Sequence, residues 1–179
     1  TNRTQYPSCN TDNTDIIHCS AFNLNLDIFY YFNSSSGWIL NNVSGMDSNS
    51  YVPTLIDSNN CVYIFKSYFA SVLFYNLTMW SSCTSNWIGT NGKPISNYSS
   101  APMKASSAID NDNNIYLAFE VSNDLWFGNS SNSGVDWSFR ELVNSIGSIQ
   151  PIIVTSESDD IYIIVGSSIY NSTNRGKTF

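Results

Sequence analysis

Short apolar runs of strand length alternate with polar clusters rich in Asn, Asp and Ser along this chain. IIHCSAF, CVYIF, IYLAF and IYIIV each follow such a cluster (CNTDNTD, LIDSNN, AIDNDNN, IVTSESDD), and each cluster follows a proline: Pro7, Pro53, Pro102 and Pro151. The prolines lie 46, 49 and 49 residues apart, which makes the pattern a repeat. Ile17, Tyr63, Tyr116 and Tyr162 take matching places, 10, 10, 14 and 11 residues after their prolines. A further apolar segment follows in each repeat (DIFYYF, SVLFYN, DLWFG, SSIYN), then a polar loop ending at Leu40, Trp87, Trp137 and Phe179. β-Branched and aromatic residues favour strands, whereas amides and hydroxyls favour turns, so one repeat reads strand, Asx turn, strand, turn, strand, glycine loop, strand. Four antiparallel strands per repeat predict an all-β fold, a small four-bladed β-propeller or propeller segment with four-stranded antiparallel blades. The repeats run over about 7–52, 53–101, 102–150 and 151–179, the last completed by residues 1–6.

Composition narrows the function classes. The 179 residues suit one domain with a sizeable core. Only 12% are charged and 15% are aromatic, and the residues that fill helix surfaces are scarce. A net charge of −7 with four Lys and three Arg offers no basic stripe, so no nucleic-acid partner is expected. No apolar run is long enough to span a bilayer. The chain starts at Thr1 without a signal-like segment, which fits a processed product. Cys9, Cys19, Cys61 and Cys83 have no C-x-x-C spacing and His18 is the single histidine, so two disulfides are expected and neither metal nor cofactor.

Seven N-x-S/T sequons begin at Asn2, Asn33, Asn42, Asn76, Asn97, Asn129 and Asn171. With 24 Asn and 42 Ser plus Thr, chance alone gives about six, so position is more informative than number. Asn129 and Asn171 head matching loops, and Asn33 is expected at the equivalent place in the first repeat. An extracellular, N-glycosylated chain is the resulting expectation.

The loops resemble the Asp-box of the bacterial-neuraminidase repeat, S-x-D-x-G-x-T-W, of sialidase-like β-propellers. Ser172, Asn174, Gly176, Thr178 and Phe179 match it with Asn for Asp and Phe for Trp; Ser130, Asn132, Gly134, Asp136 and Trp137 match with Asn for Asp and Asp for Thr. Only Gly37 survives in NSSSGWIL, and only Trp87 in WSSCTSNW. The box is a folding device: the amide side chain accepts from its own turn, Gly takes the left-handed position, and the ring anchors the loop. The alternative is a set of ordinary Asx turns in an Asn-rich chain.

A sialidase resemblance would imply an arginine cluster, an Asp acid/base and a Tyr–Glu nucleophile pair. Arg3, Arg140 and Arg175 are not placed for a central clamp. Asp27, Glu120 and Asp124 are candidates for paired glycosidase carboxylates, but acids beside Asn and Ser at strand ends read as turn residues. His18 reads as structural, and Asp110, Asp112 and Asn114 resemble a calcium loop that lacks its downstream Glu. Tyr30, Tyr31, Trp38, Tyr68, Trp80 and Trp126 are candidate sugar-stacking surfaces. The reading is a non-enzymatic extracellular structural or interaction module, self-assembling as a subunit of a surface or filamentous assembly; the alternative is a glycan-binding propeller, or a fragment of a propeller glycosidase or receptor.

In an antiparallel blade the first turn and the last loop lie at the same end, which pairs Cys61 with Cys83 and leaves Cys9 with Cys19 across the first hairpin, offset by about three residues in an ideal register. Nothing follows Phe179 to form an outer fourth strand. The segment TNRTQY is therefore expected to cover that edge, more readily between chains than within one, giving self-association through the open edge of the fourth blade.

Overall fold

The computed structural model describes residues 4–23, 27–45, 53–71, 74–84, 92–98, 102–147 and 149–179. They form fifteen strands, and among the described residues no helix is long and apolar enough to cross a membrane. The chain divides into two compact units, Thr1–Ser99 and Ser100–Phe179.

In the first unit β1 (Thr4–Thr11), β2 (Ile17–Asn23), β3 (Asp27–Ser34) and β4 (Gly37–Gly45) form one antiparallel sheet in that order. A second contains β5 (Thr54–Ile56), β6 (Val62–Ser71), β7 (Phe74–Ser81) and β8 (Lys93–Tyr98). In the second unit β9 (Pro102–Ile109), β10 (Ile115–Val121), β11 (Asp124–Ser130) and β12 (Ser138–Val143) form the third sheet, and β13 (Ile152–Thr155), β14 (Ile161–Val165) and β15 (Ser168–Ser172) the fourth. Every sheet is an up-and-down meander, with its strands hydrogen-bonded in chain order.

The polar clusters build one turn four times. Asp12, Asp57, Asp110 and Ser156 each donate their N–H to the carbonyl four residues on, and Asp15, Asn60, Asn113 and Asp159 sit in the left-handed region at φ 62, 62, 63 and 62°. Asn and Asp tolerate that conformation, which explains the composition of these clusters. In the first three turns the head carboxylate also accepts from two backbone N–H groups of its own loop, from Thr14 and Ile16, Asn59 and Cys61, and Asp112 and Asn114.

Counted from these heads, six residues lead to His18, Tyr63, Tyr116 and Tyr162. His18, not Ile17, therefore shares the place of the tyrosines. Asn33 shifts likewise. Its side-chain oxygen accepts from Ile17 N–H, whereas Ser130 lies opposite Ile115 and Ser172 opposite Ile161. Asn33 thus corresponds to those serines and not to Asn129 and Asn171, one residue away and on the other face of the strand.

The tail is placed differently from the expectation. Thr4 and Gln5 pair with Asn23 and Phe22, so residues 4–6 extend the first strand of the first sheet instead of forming an outer strand of the fourth. Among the described residues β15 ends its sheet. The bridges are Cys61–Cys83, with Cα atoms 5.4 Å apart, and Cys9–Cys19, at 4.1 Å. Cys9 and Cys19 lie directly opposite each other without the expected offset, because the turn between Thr11 and Ile17 has five residues and keeps the register symmetric. Replacing Cys61 and Cys83 together by Ser should lower stability by about 3 kcal/mol in urea unfolding, and an unchanged midpoint would remove the bridge from the fold's support.

Within each unit the two sheets pack against each other. In the second unit Ala108, Tyr116, Ala118, Leu125 and Phe127 of the third sheet form one buried core with Ile153, Ile161, Ile163 and Val165 of the fourth. β10 is buried at every position. Across the first strands, Thr54 N–H donates to Ser8 Oγ at 3.0 Å and Ile153 N–H to Ser106 Oγ at 3.3 Å. A second latch also repeats. Asn13 reaches Asn60 Oδ1 and the Ser58 carbonyl on the neighbouring turn, and Asn111 reaches Asp159 Oδ1 and the Glu157 carbonyl in the same way.

Candidate functional site

The loops that follow β11 in the third sheet and β15 in the fourth share one geometry. Ser130 Oγ accepts from Gly134 N–H and Ser172 Oγ from Gly176 N–H, both at 2.9 Å. Asn132 Oδ1 accepts from Asp136 N–H at 2.8 Å and Asn174 Oδ1 from Thr178 N–H at 2.9 Å. Trp137 stacks on Phe139 at 5.6 Å, and Phe179 meets Phe127 edge-on at 5.0 Å. The first repeat has instead a tight hairpin in which Ser34 faces Gly37. In the second, Thr84 N–H donates to the Ser81 carbonyl, while Trp87 lies outside the described residues.

The chemistry-bearing side chains are engaged in holding loops. Arg140 donates to the carbonyls of Gly176 and Lys177 and lies over the rings of Phe127 and Phe179 at 5.7 and 5.3 Å. It clasps the fourth loop to the third sheet. Arg175 pairs with Asp112 and, at 3.5 Å, with Asp159, tying two turns together. Asp110 uses both oxygens inside its turn, including one for the buried Tyr116 hydroxyl at 2.7 Å. Glu120 is buried and accepts from Asn123 N–H at 3.1 Å, and Asp124 accepts from Ser145 N–H at 2.8 Å, so both serve the β10–β11 turn region. Asn2, Arg3 and the side chains of Asp27, Asn42 and Tyr68 lie outside the described residues.

His18 has partners that its spacing from Asp12 makes visible in retrospect. Its Nε2 is 3.0 Å from Asp12 Oδ2, its Nδ1 meets the Tyr30 hydroxyl, and its ring stacks with Tyr30 and Phe32. Burial raises the Tyr30 pKa to about 12, with the Asp12 charge adding to it. Burial alone would raise Asp12 too, but hydrogen bonds from His18, Thr14 and Ile16 outweigh it and hold the carboxyl well below its ordinary 3.8. A depressed carboxyl pKa stabilises the fold above the ordinary value, and that contribution is lost as pH falls toward the folded one. Asp12→Asn should therefore cost about 1–2 kcal/mol at pH 7 and progressively less below about pH 4. A pH-independent deficit in urea unfolding would contradict this.

The candidate aromatics divide between core and surface. Tyr30 and Trp80 are buried, and Tyr31 and Trp126 half-buried, whereas Trp38 is 59% exposed. Trp38 lies opposite Asn33, and Leu40 opposite Tyr31, so these four share one face of the first sheet. In the fourth sheet Ile152, Ile164 and Ile169 align across one face beside Val154 and Tyr162. Ile152, Val154 and Ile169 are 51, 44 and 67% exposed. Of the described sequons Asn97 and Asn171 are exposed, and Asn33, Asn76 and Asn129 half-buried.

No protein-family model matches the sequence, and no curated protein shows significant sequence similarity to it. Solved structures resemble its fold. The fungal lectin of Aleuria aurantia, described as a six-bladed β-propeller with a novel fucose recognition mode, aligns with TM-score 0.64 at 10% identity over 92% of this chain and 56% of the lectin. An exo-β-1,3-galactanase from Phanerochaete chrysosporium, solved with galactose, gives 0.57 at 11% over 92% of this chain and 42% of the enzyme. The major allergen Mala s 1 of Malassezia sympodialis gives 0.55 at 16% over 94% of this chain and 58% of the allergen. This chain spans little more than half of the lectin's length, and its four antiparallel sheets make it a β-propeller segment.

Proposed function

We propose that the chain is a non-catalytic, N-glycosylated interaction module of an exported protein, assembling through the exposed apolar face of its fourth sheet. The observation that carries this reading is the apolar face of the fourth sheet, where Ile152, Val154 and Ile169 lie exposed on a strand meander whose opposite face is core. Soluble chains seldom leave such contiguous apolar surface uncovered without a partner. Two disulfides favour an oxidising compartment. The engagement of Arg140, Arg175 and Asp124 in loops and turns favours a binding role over hydrolysis. Made through an oxidising secretory route, the chain should sediment as a particle larger than one copy, lose mass on enzymatic deglycosylation, and leave aryl glycosides intact. A monomeric, unmodified chain would overturn the proposal.

A glycan-binding role is the second reading, favoured by the exposed indole of Trp38 and by the fold shared with fucose lectins. If sugar stacks there, Trp38→Ala should weaken binding on a glycan array by about tenfold, the scale of one aromatic contact. Equal binding by the variant would remove Trp38 as the platform.

A further inference from the structure

We propose that Asn171 is an N-glycan site whose sugar covers the apolar face of the fourth sheet, and that occupancy of this site decides whether the face is open for association. This rests on the assembly reading above and adds the regulation of that face.

The register puts the sequon on the face itself. Two cross-strand rows make up its surface, Val154 with Tyr162 and Asn171, and Ile152 with Ile164 and Ile169. Successive strand residues point to opposite faces, so Asn171 projects on the same side as Ile169, away from Ile161, Ile163 and the core. Opposite Cβ atoms on one face stand about 5 Å apart and neighbouring strands about 4.8 Å, so a sugar on Asn171 lies beside Tyr162 and within about 10 Å of Val154. An aromatic ring and branched aliphatic side chains suit the C–H face of a pyranose, whose hydroxyls then turn outward to water.

The sequon is accessible where others are engaged. Asn171 and the sequon's Thr173 are both exposed. Asn33 commits its Oδ1 to Ile17 N–H, and Asn129 is half-buried opposite the fully buried Tyr116. Thr78, which completes the sequon of Asn76, is buried. Attachment forms the bond between Asn171 Nδ2 and C1 of the sugar and breaks the bond from that carbon to a lipid pyrophosphate; the pyrophosphate leaves and the amide gives up one proton. The donor is a lipid-linked oligosaccharide of an exporting compartment, the route that two disulfides already favour.

Sugar and partner exclude each other. Packed sheets approach to about 10 Å with their side chains interlocked, leaving no room for a glycan rising from within the contact. Its hydroxyls would also be stripped of water without gaining partners. A tethered group is present at an effective concentration on the order of 1 mM, whereas a second copy at ~1 µM is about a thousandfold more dilute, so the glycan holds the face even with weak contacts. A glycosylated copy therefore stays single and an unmodified one associates.

The test uses the full chain exported from a glycosylating host, separated by sedimentation and mapped for Asn171 occupancy by mass spectrometry of its peptides. Single copies should carry the glycan at Asn171 and assembled particles should lack it. Thr173→Ala and Asn171→Gln each remove the sequon at an exposed position, so both should unfold at the wild-type urea midpoint and associate at least about tenfold more tightly. Asn97→Gln, which removes an exposed sequon of the second sheet, should change nothing. Diluted to single copies, Thr173→Ala should bind the apolar dye ANS more strongly than the glycosylated chain. Glycosylated Asn171 inside the particles, or equal dye binding, overturns the regulation and leaves the assembly reading standing. Asn171 unmodified throughout the exported chain overturns the site. Single copies from wild type and from both Asn171-sequon variants remove the assembly reading itself.

Discussion

Asp110→Ala is expected to lower the unfolding free energy of the second unit by about 4 kcal/mol, among the largest effects available to one side chain. Asp110 is buried at the head of the third turn. Its Oδ1 accepts from the N–H groups of Asp112 at 3.0 Å and Asn114 at 2.8 Å. Its Oδ2 accepts from the Asn114 side chain and the Tyr116 hydroxyl, both at 2.7 Å. Alanine leaves four donors without their acceptor, and the Tyr116 hydroxyl belongs to a fully buried residue. Burial, followed by the bond to Asp110, already pushes the Tyr116 pKa above its ordinary range, so the phenol stays neutral and must donate. Asp110→Asn keeps the Oδ1 role and should lose about half as much. Urea unfolding at constant m-value gives the measurement. A loss below about 1 kcal/mol would mean that water replaces the carboxylate.

Gly176→Ala should cost about 3 kcal/mol, for two separable reasons. The residue sits at φ +80°, where an L side chain adds about 1–2 kcal/mol of backbone strain. Its Cβ would also fall 2.4 Å from Phe127 Cζ and 2.6 Å from Cε1. Phe127 cannot give way easily, being buried against Phe179 and under the Arg140 guanidinium. Overpacking of this kind adds about 1–3 kcal/mol. Gly37→Ala separates the two contributions: φ is +104° there, but no atom lies within 4 Å of the added Cβ, so only the backbone cost of about 1 kcal/mol should remain. Equal losses at the two glycines would show that packing against Phe127 contributes nothing.

The repeat, the strands and the Asx turns are local matters, and the sequence by itself determined them. A period marked by prolines, β-branched runs and Asn-rich clusters encodes hairpins whose hydrogen bonds close within a few residues, as at Asp57 and Asp110. The loops at 130–137 and 172–179 were legible as turns for the same reason, because Ser130 with Asn132 and Ser172 with Asn174 bond inside their own turns. Only the tertiary structure decided which face each residue takes. Strand side chains alternate, so a one-residue error in alignment sends a residue to the opposite face. Hence His18 replaces Ile17 beside the carboxylate, and Asn33 parts company with Asn129. The placement of residues 4–6 was a choice between two strands far apart in sequence, and no local pattern expresses it. The exposed face of the fourth sheet shows the limit most plainly. Phe127 and Ile169 are equivalent apolar residues on equivalent strands, and what distinguishes them is whether another sheet lies on top.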